Sequence, residues 1–344
     1  CVMSERSPLD VEAVSKYLKP RLDGFDGPVE ATKFESGQSN PTFLLKTPMN
    51  NYVLRRKPPG VLLKSAHAVD REFRVQKALA GTYVPVAKMH HLCEDDSVIG
   101  SSFYIMDYVS GRNFNEPTLG GLNNADRTLV MMEMNRVLAA LHDVNIDEIS
   151  LADYGPSGHY LERQVGRWSR QYRASETKPL PAMDRLIDII TEQMPVDDGQ
   201  RTLVHGDYRI DNMIFERDGT RCLAVLDWEL STIGHPYADL ASVIMQWQLP
   251  VGRKGRGLLG VDRADLGLPT DDAFIVQYCE RRGLDEIDNF GYYVGFCFFR
   301  MAAIIQGVLK RALDGNASNP EQAKELGAYV PVFAEHGLEA LKQR

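Results

Sequence analysis

The chain has 344 residues, 44% of them hydrophobic and 25% charged, with a net charge of -8 and a pI near 5.6. That length suits two domains or lobes, and the composition is ordinary for a globular protein. The acidic balance argues against a broad basic surface of the kind that holds a nucleic-acid backbone, so no nucleic-acid partner is expected. Five cysteines, at 1, 93, 222, 279 and 297, form no CxxC pair, and those at 222 and 297 lie in apolar runs as small hydrophobes. A reducing, cytoplasmic setting is expected. The first residues carry charge from Glu5 onward and contain no apolar signal-peptide core.

In chain order, Ser7-Pro8-Leu9-Asp10 opens a helix with a cap, an early proline and an acid three residues after the cap. Val29 to Phe34, Thr42 to Lys46 and Tyr52 to Arg56 read as an antiparallel meander, split by polar turns at 35–41 and 47–51. A helix follows over His67 to Ala80, then strands over Val86 to Cys93 and Ser101 to Tyr108. From Asn124 to Val144 the apolar spacing turns helical, and 157–176, 181–194, 270–283, 286–313 and 319–342 carry the same period. The longest apolar stretch, Tyr292 to Leu309, is interrupted by Arg300 and Gln306, which predicts a buried helix and no membrane partner. Strands first and helices afterwards argue for an α+β fold.

Two short segments carry chemistry. Thr202-Leu203-Val204 reads as a strand leading into His205-Gly206-Asp207-Tyr208-Arg209-Ile210-Asp211-Asn212, and Cys222 to Leu226 as a buried strand delivering Asp227-Trp228-Glu229. Asp207 is suited to take a proton from a hydroxyl, and Asn212 and Asp227 to hold a metal ion through hard oxygens. A hairpin through Arg217-Asp218-Gly219-Thr220 would bring both metal ligands to one edge. The combination suits phosphoryl transfer, in which positioning and charge neutralisation do most of the work.

These motifs, with others at 36–43, 52–58, 71–79 and 103–111, make the chain similar to the aminoglycoside phosphotransferase and choline kinase group of the protein-kinase-like fold. It is especially similar to the phosphotransferase domain fused to some acyl-CoA dehydrogenases. The resemblance implies a bilobal architecture, with a nucleotide-binding lobe over 1–109 built on an antiparallel sheet and one main helix. A larger, mostly helical catalytic lobe would occupy 110–344, with inserted substrate-pocket helices at 157–194. It implies ATP and Mg2+ as cofactors, Asp207 as catalytic base, and Arg209 where a cation touches the transferring phosphate, although a salt bridge to Asp211 would explain Arg209 as well. Gly37, Ser39 and Asn40 would lie over the phosphates. Arg55 would stand where kinases carry a lysine, with Glu72 as its helix partner and Arg56 or Lys57 as possible substitutes. Met106 would line the space behind adenine, which the backbone at Asp107 and Val109 would read. His205 is expected to be scaffold, Glu229 to serve metal or structure, and Asp239 to tie the catalytic loop or cap a helix.

The twelve residues between Asp227 and Asp239 are too few for a long peptide-binding segment, so a small-molecule hydroxyl is the expected acceptor. A hydroxyacyl-CoA is one candidate. The loop 251–263 carries cations at 253, 254 and 256 that either meet a phosphate-bearing substrate or belong to a mobile surface loop. A catalytically idle, nucleotide-binding interaction module is the competing expectation, motivated by Arg55 and a glycine-poor phosphate loop.

Overall fold

The computed structural model describes residues 9–34, 40–58, 68–252, 256–316 and 319–343. In chain order its elements are α1 (Val11–Leu18), β1 (Glu30–Lys33), β2 (Thr42–Lys46), β3 (Asn51–Arg56), α2 (Val69–Leu79), β4 (Met89–Cys93) and β5 (Phe103–Asp107). There follow α3 (Asn124–His142), α4 (Tyr160–Ser175), α5 (Pro181–Glu192), β6 (Thr202–Val204), β7 (Met213–Phe215), β8 (Cys222–Val225), β9 (Thr232–Gly234) and α6 (Pro236–Trp247). The last are α7 (Arg263–Leu266), α8 (Asp271–Arg282), α9 (Phe290–Leu313), α10 (Pro320–Gly327) and α11 (Val330–Ala340). Strands gather early and helices late, as an α+β chain requires. Contacts group residues 1–113 with 149–151 and 211–231 in one unit, and 114–148, 152–210 and 232–344 in a second.

In the first unit, β1 to β5 form one antiparallel sheet in the order β1-β2-β3-β5-β4. Successive side chains of a strand point to opposite faces, and β3 uses both. Tyr52 and Leu54 join Val14, Leu18, Phe25, Phe103 and Ile105 in one core cluster. Val53 turns the other way, to Val69 and Phe73 of α2 together with Tyr104 and Met106. Arg55 shares the parity of Val53 and therefore emerges on the α2 side. The first helix starts later than its sequence suggested, because Asp10 is the cap and accepts the Ala13 N–H at 2.9 Å.

The hairpin through 217–220 pairs β7 with β8, while Thr202–Val204 pairs instead with β9, in the second unit. Neither Met213–Phe215 nor Thr232–Gly234 was visible as a strand, since three residues are too few to display a period. The expected helix over 319–342 is two helices, with Pro331 in the first turn of α11, where its missing N–H costs nothing. The expected start of α2 at His67 falls outside the described residues.

The core of the second unit is α9, which packs against α4, α6, α10 and α11. It is long and apolar enough to cross a membrane, and 72% of that apolar window is buried inside the protein. Glycines allow its neighbour to approach closely: a Cβ at Gly291 would lie 2.4 Å from the Ala340 carbonyl oxygen. Its buried Gln306 donates to the Ser175 carbonyl at 2.8 Å, which removes the cost of an amide in an apolar helix.

In the first unit, Arg112 and Phe215 exchange two backbone hydrogen bonds, of 2.9 and 2.8 Å. The preceding Gly111 lies so close that an added Cβ would be 2.3 Å from the Phe215 oxygen. Gly111→Ala should therefore destabilise this unit by about 1–3 kcal/mol, the usual cost of an overpacked site. Urea denaturation monitored by circular dichroism measures it, and an unchanged midpoint would contradict the close approach.

Candidate active site

In the first unit β8 ends at Val225, and the Leu226 N–H donates to the Asn212 carbonyl at 2.7 Å. This bond extends the β7–β8 ladder and makes Asn212 and Asp227 close neighbours. Asp227 adopts the left-handed conformation (φ 64°, ψ 57°), a cost that a non-glycine residue bears only when its surroundings enforce it. Here the enforcement is Trp228, which is buried and donates its indole N–H to the Val225 carbonyl at 2.9 Å. Ser231 Oγ closes the same turn on the Trp228 carbonyl at 2.6 Å, and α2 packs against it.

The turn aims two acids at Arg55. Arg55 Nη2 lies 2.8 Å from Asp227 Oδ1 and 3.6 Å from Glu229 Oε2, and its Nε lies 2.9 Å from Glu72 Oε2. Both carboxylate oxygens of Glu72 are occupied: Asn40 Nδ2 donates to Oε1 at 2.8 Å, and the Tyr104 hydroxyl to Oε2 at 3.1 Å. Burial pushes the Glu72 carboxyl up to about 7 despite the opposing pull of Arg55, with Asp227 and Glu229 adding to the rise. Burial alone would ease the proton off Arg55, but the surrounding carboxylates hold it firmly charged.

Of the alternatives to Arg55, Arg56 is buried on the opposite face, 5.5 Å from the Phe43 ring centre, and Lys57 reaches Asp70 at 3.7 Å. Asn40 spends its amide nitrogen on Glu72, while Gly37 and Ser39 lie outside the described residues. Met106 stands in the sheet opposite Val53. The Asp107 N–H is taken by the Lys88 carbonyl and the Tyr108 N–H by the Asn51 carbonyl. Asn113 was missed by sequence reading. Its Nδ2 spans the carbonyls of Asp211 and Met213 at 2.6 and 2.9 Å and clamps the residues on both sides of Asn212.

The donor set fits a magnesium ion. One guanidinium among three carboxylates leaves excess negative charge, and Asn212 and Asp227 offer hard oxygens. Among the described residues no three His, Cys, Asp or Glu side chains form a metal cluster. The fit is therefore to an ion that keeps waters and draws further oxygens from phosphates.

In the second unit, Asp239 on α6 holds the loop that carries Asp207. Its carboxylate accepts the His205 N–H at 2.5 Å and the Gly206 N–H at 2.8 Å. Burial works against its charge, but His142 and these N–H groups outweigh that and keep the carboxyl below its ordinary value. His142 Nε2 is 3.5 Å from Asp239, and its Nδ1 is 2.7 Å from the Tyr278 hydroxyl. The buried His205 ring accepts the Asp207 N–H at 3.3 Å, a scaffold contact. Tyr208 donates to the Met134 carbonyl at 2.8 Å. So anchored, Asp207 has its carboxylate 3.3 Å from Arg209 Nε. His142 is a further residue that the sequence did not single out, because its role depends on α3 packing beside β6.

A five-stranded sheet bearing a cation-acid pair, with a separate helical unit holding an anchored aspartate, defines the protein-kinase-like class of phosphotransferases. The chain belongs to the Phosphotransferase enzyme family, whose profile matches residues 30–287. It is 45% identical over 326 residues to acyl-CoA dehydrogenase family member 10 of Mus musculus, covering 94% of this chain and 30% of that protein. It is 40% identical over 341 residues to family member 11 of Homo sapiens, covering 97% of this chain and 43% of that one. The chain thus spans less than half the length of these relatives. A crystal structure from Ralstonia eutropha, provisionally called an aminoglycoside phosphotransferase, is 45% identical with a TM-score of 0.89, over 98% of this chain and 99% of that one. A spectinomycin phosphotransferase bound to ADP and spectinomycin shares the fold at 11% identity, with a TM-score of 0.65 over 97% and 99% of the two chains.

Because the folded Glu72 carboxyl sits above its unfolded value, the folded state holds that proton more tightly, and the contribution of Glu72 to stability falls as pH rises from about 4.5 through 7. The stability difference between wild type and Glu72→Gln, from urea unfolding at a series of pH values, should therefore decline over that range and level off above it. A difference that rises with pH would mean that the ion pair outweighs burial.

Proposed function

We propose that the chain is an ATP- and magnesium-dependent phosphotransferase acting on a hydroxyl of a small molecule. The observation that carries this reading is Arg55 among Glu72, Asp227 and Glu229, a charge cluster that suits a metal-bound polyphosphate. Asp207, five residues before Asn212 in the chain, accepts the hydroxyl proton, and Arg209 restrains its carboxylate. Arg55 offers its planar fork to phosphate oxygens, while Glu72 keeps the guanidinium from swinging away. Asn212 and Asp227 would hold magnesium, which would supply charge neutralisation for the transferring phosphoryl group. Among acceptors, a hydroxyacyl-CoA is favoured by the 40–45% identity to proteins named as acyl-CoA dehydrogenase family members. An antibiotic acceptor draws support only from a shared fold, which does not carry substrate identity. The four free, buried cysteines among the described residues suit a cytoplasmic setting.

The arginine in place of the usual lysine supports a second reading, an idle nucleotide-binding module. Phosphate transfer from ATP to a panel of hydroxyacyl-CoA and sugar acceptors separates the two. Asp207→Asn should lower turnover by roughly 10²–10⁴-fold, the scale of a lost general base, and leave nucleotide affinity within about two-fold. Equal turnover by wild type and variant would remove the catalytic reading. Arg55→Met should weaken ATP binding, measured calorimetrically with magnesium present, by at least about ten-fold, the scale of a lost charge-assisted hydrogen bond. Unchanged affinity would assign the phosphate contact elsewhere.

A further inference from the structure

Buried polar residues under the loop that carries Asp207 form a hydrogen-bonded chain across two helices of the second unit. On α8, Tyr278 and Arg282 stand four residues apart and share a face, and Gly283, in the left-handed region at φ 64°, ends the helix beyond them. On α3, Asn135 and His142 stand seven apart and share a face in the same way. Asn135 Nδ2 donates to the Phe274 carbonyl at 2.8 Å, which sets α3 against α8 one turn before Tyr278. His142 Nδ1 then lies 2.7 Å from the Tyr278 hydroxyl, and Asp143 Oδ1, at the end of α3, lies 2.6 Å from Arg282 Nε. Tyr278 is 0% exposed and His142 2%, so bulk water supplies neither with a partner.

The direction of each bond follows from the charged ends of the chain. Arg282 Nη1 donates to the Tyr278 oxygen at 3.0 Å, and a guanidinium has no acceptor to offer in return. Burial pushes the Tyr278 phenol up, so it keeps its proton, and among the described residues its hydroxyl has one other hydrogen-bond partner, His142 Nδ1. That nitrogen therefore accepts. On the far side of the ring, Nε2 lies 3.5 Å from Asp239 Oδ2, where a lone pair would be repelled by the carboxylate. Both ends select one neutral tautomer, with the proton on Nε2. Burial also keeps the imidazole below its ordinary value against the pull of Asp239, with Arg282 opposing a positive charge and Asp143 favouring it. The same Asp239 Oδ2 accepts the His205 N–H at 2.5 Å. The neutral imidazole leaves that oxygen to the loop, since Nε2 makes no closer bond to it, whereas an imidazolium would draw it away.

We infer that Arg282 is a positioning residue for the catalytic loop: it occupies the Tyr278 oxygen, keeps the His142 proton on Nε2 and off Nδ1, and so leaves Asp239 Oδ2 to the His205 N–H. What the loop does rests on the phosphotransferase reading above, to which this adds a residue remote from the reacting groups. Asp143, whose side chain is 53% exposed, holds the Arg282 fork from the solvent side. Without the guanidinium the Tyr278 oxygen is open to a donor, and a proton on Nδ1 fills it. The resulting imidazolium then competes with His205 for Oδ2.

The tautomer is read in the full chain by nitrogen–proton correlation NMR of protein labelled with 15N-histidine, the His142 signal being assigned by its absence in His142→Gln. At pH 7 the wild type should carry the His142 proton on Nε2. Between pH 8 and pH 5, Nδ1 should gain a proton at a pH about one unit higher in Arg282→Met, a ten-fold change in proton affinity and the scale of a lost charge-assisted hydrogen bond. Arg282→Lys, whose ammonium still donates to the phenol oxygen, should titrate as the wild type does. A proton on Nδ1 of the wild type at pH 7, or the same titration in wild type and Arg282→Met, would overturn the inference. The loop is read by hydrogen exchange of the 205 and 206 amides at pH 6, which should be roughly 2–10-fold faster in Arg282→Met, the scale of one lost hydrogen bond. Equal exchange would assign Arg282 to packing alone. Where an acceptor is turned over, kcat at pH 6 should fall by a similar factor, with KM for ATP within about two-fold and recovery in Arg282→Lys. If none is turned over, the phosphotransferase reading fails while the exchange rates still decide the anchor. Should Arg282→Met not fold, the wild-type spectrum decides: a bare Nδ1 at pH 7 supports the inference and a protonated one sinks it.

Discussion

Arg55 carries a full charge into a half-closed space where three carboxylates meet it, and the first unit is organised around keeping that charge in place. Removing a guanidinium from water is costly unless its partners are fixed and themselves satisfied. Glu72 meets both conditions: α2 delivers it, Asn40 and Tyr104 take up its remaining capacity, and its position opposite Arg55 follows from strand parity. Asp227 and Glu229 are fixed differently, by the buried Trp228 turn that forces Asp227 into the left-handed region. Two independent supports, one from a helix and one from a turn, converge on one side chain. An exposed pair would be worth little, whereas a cluster this confined sets geometry.

The second unit solves a related problem with neutral donors. Asp239 is a buried carboxylate whose charge is met by two backbone N–H groups and His142, and the same bonds hold the strand-to-loop passage from Val204 to Asp207. The anchor is rigid because each part is itself tied: His142 to Tyr278, and Tyr278 to Arg282 at 3.0 Å. On the proposed reading Asp207 accepts the hydroxyl proton, and a loop that does not reorganise when charge changes suits that role.

Much of the site was legible because the chemistry-bearing residues sit in short, fixed spacings. Asp207 to Asn212 and Asp227 to Glu229 each lie within one segment, and the run from Cys222 to Leu226 announces a buried strand by its apolar side chains. Arg55 and Glu72 were assignable as partners only through the family resemblance, since nothing local says that a strand arginine and a helix glutamate meet. The pairing of Thr202–Val204 was not legible. Strands of three residues carry no usable period, and β6 found β9 rather than the neighbour that the nearby turn suggested. Asn113 and His142 were not singled out because a side chain that acts across elements leaves no trace in spacing.

By itself the sequence determined the α+β class, the main elements of the sheet, the buried character of α9 and the short motifs with their hard-oxygen and acid residues. These are local properties, written in periodicity, turn chemistry and residue type. Tertiary structure decided that Glu229 as well as Asp227 turns to Arg55, that Asn40 braces Glu72, and that Asp239 accepts the loop N–H groups. The physical reason is common to all three. A side chain's partner and its cost of burial depend on which remote segment is packed against it, and that becomes defined only when the sheet and the helices have closed on their cores.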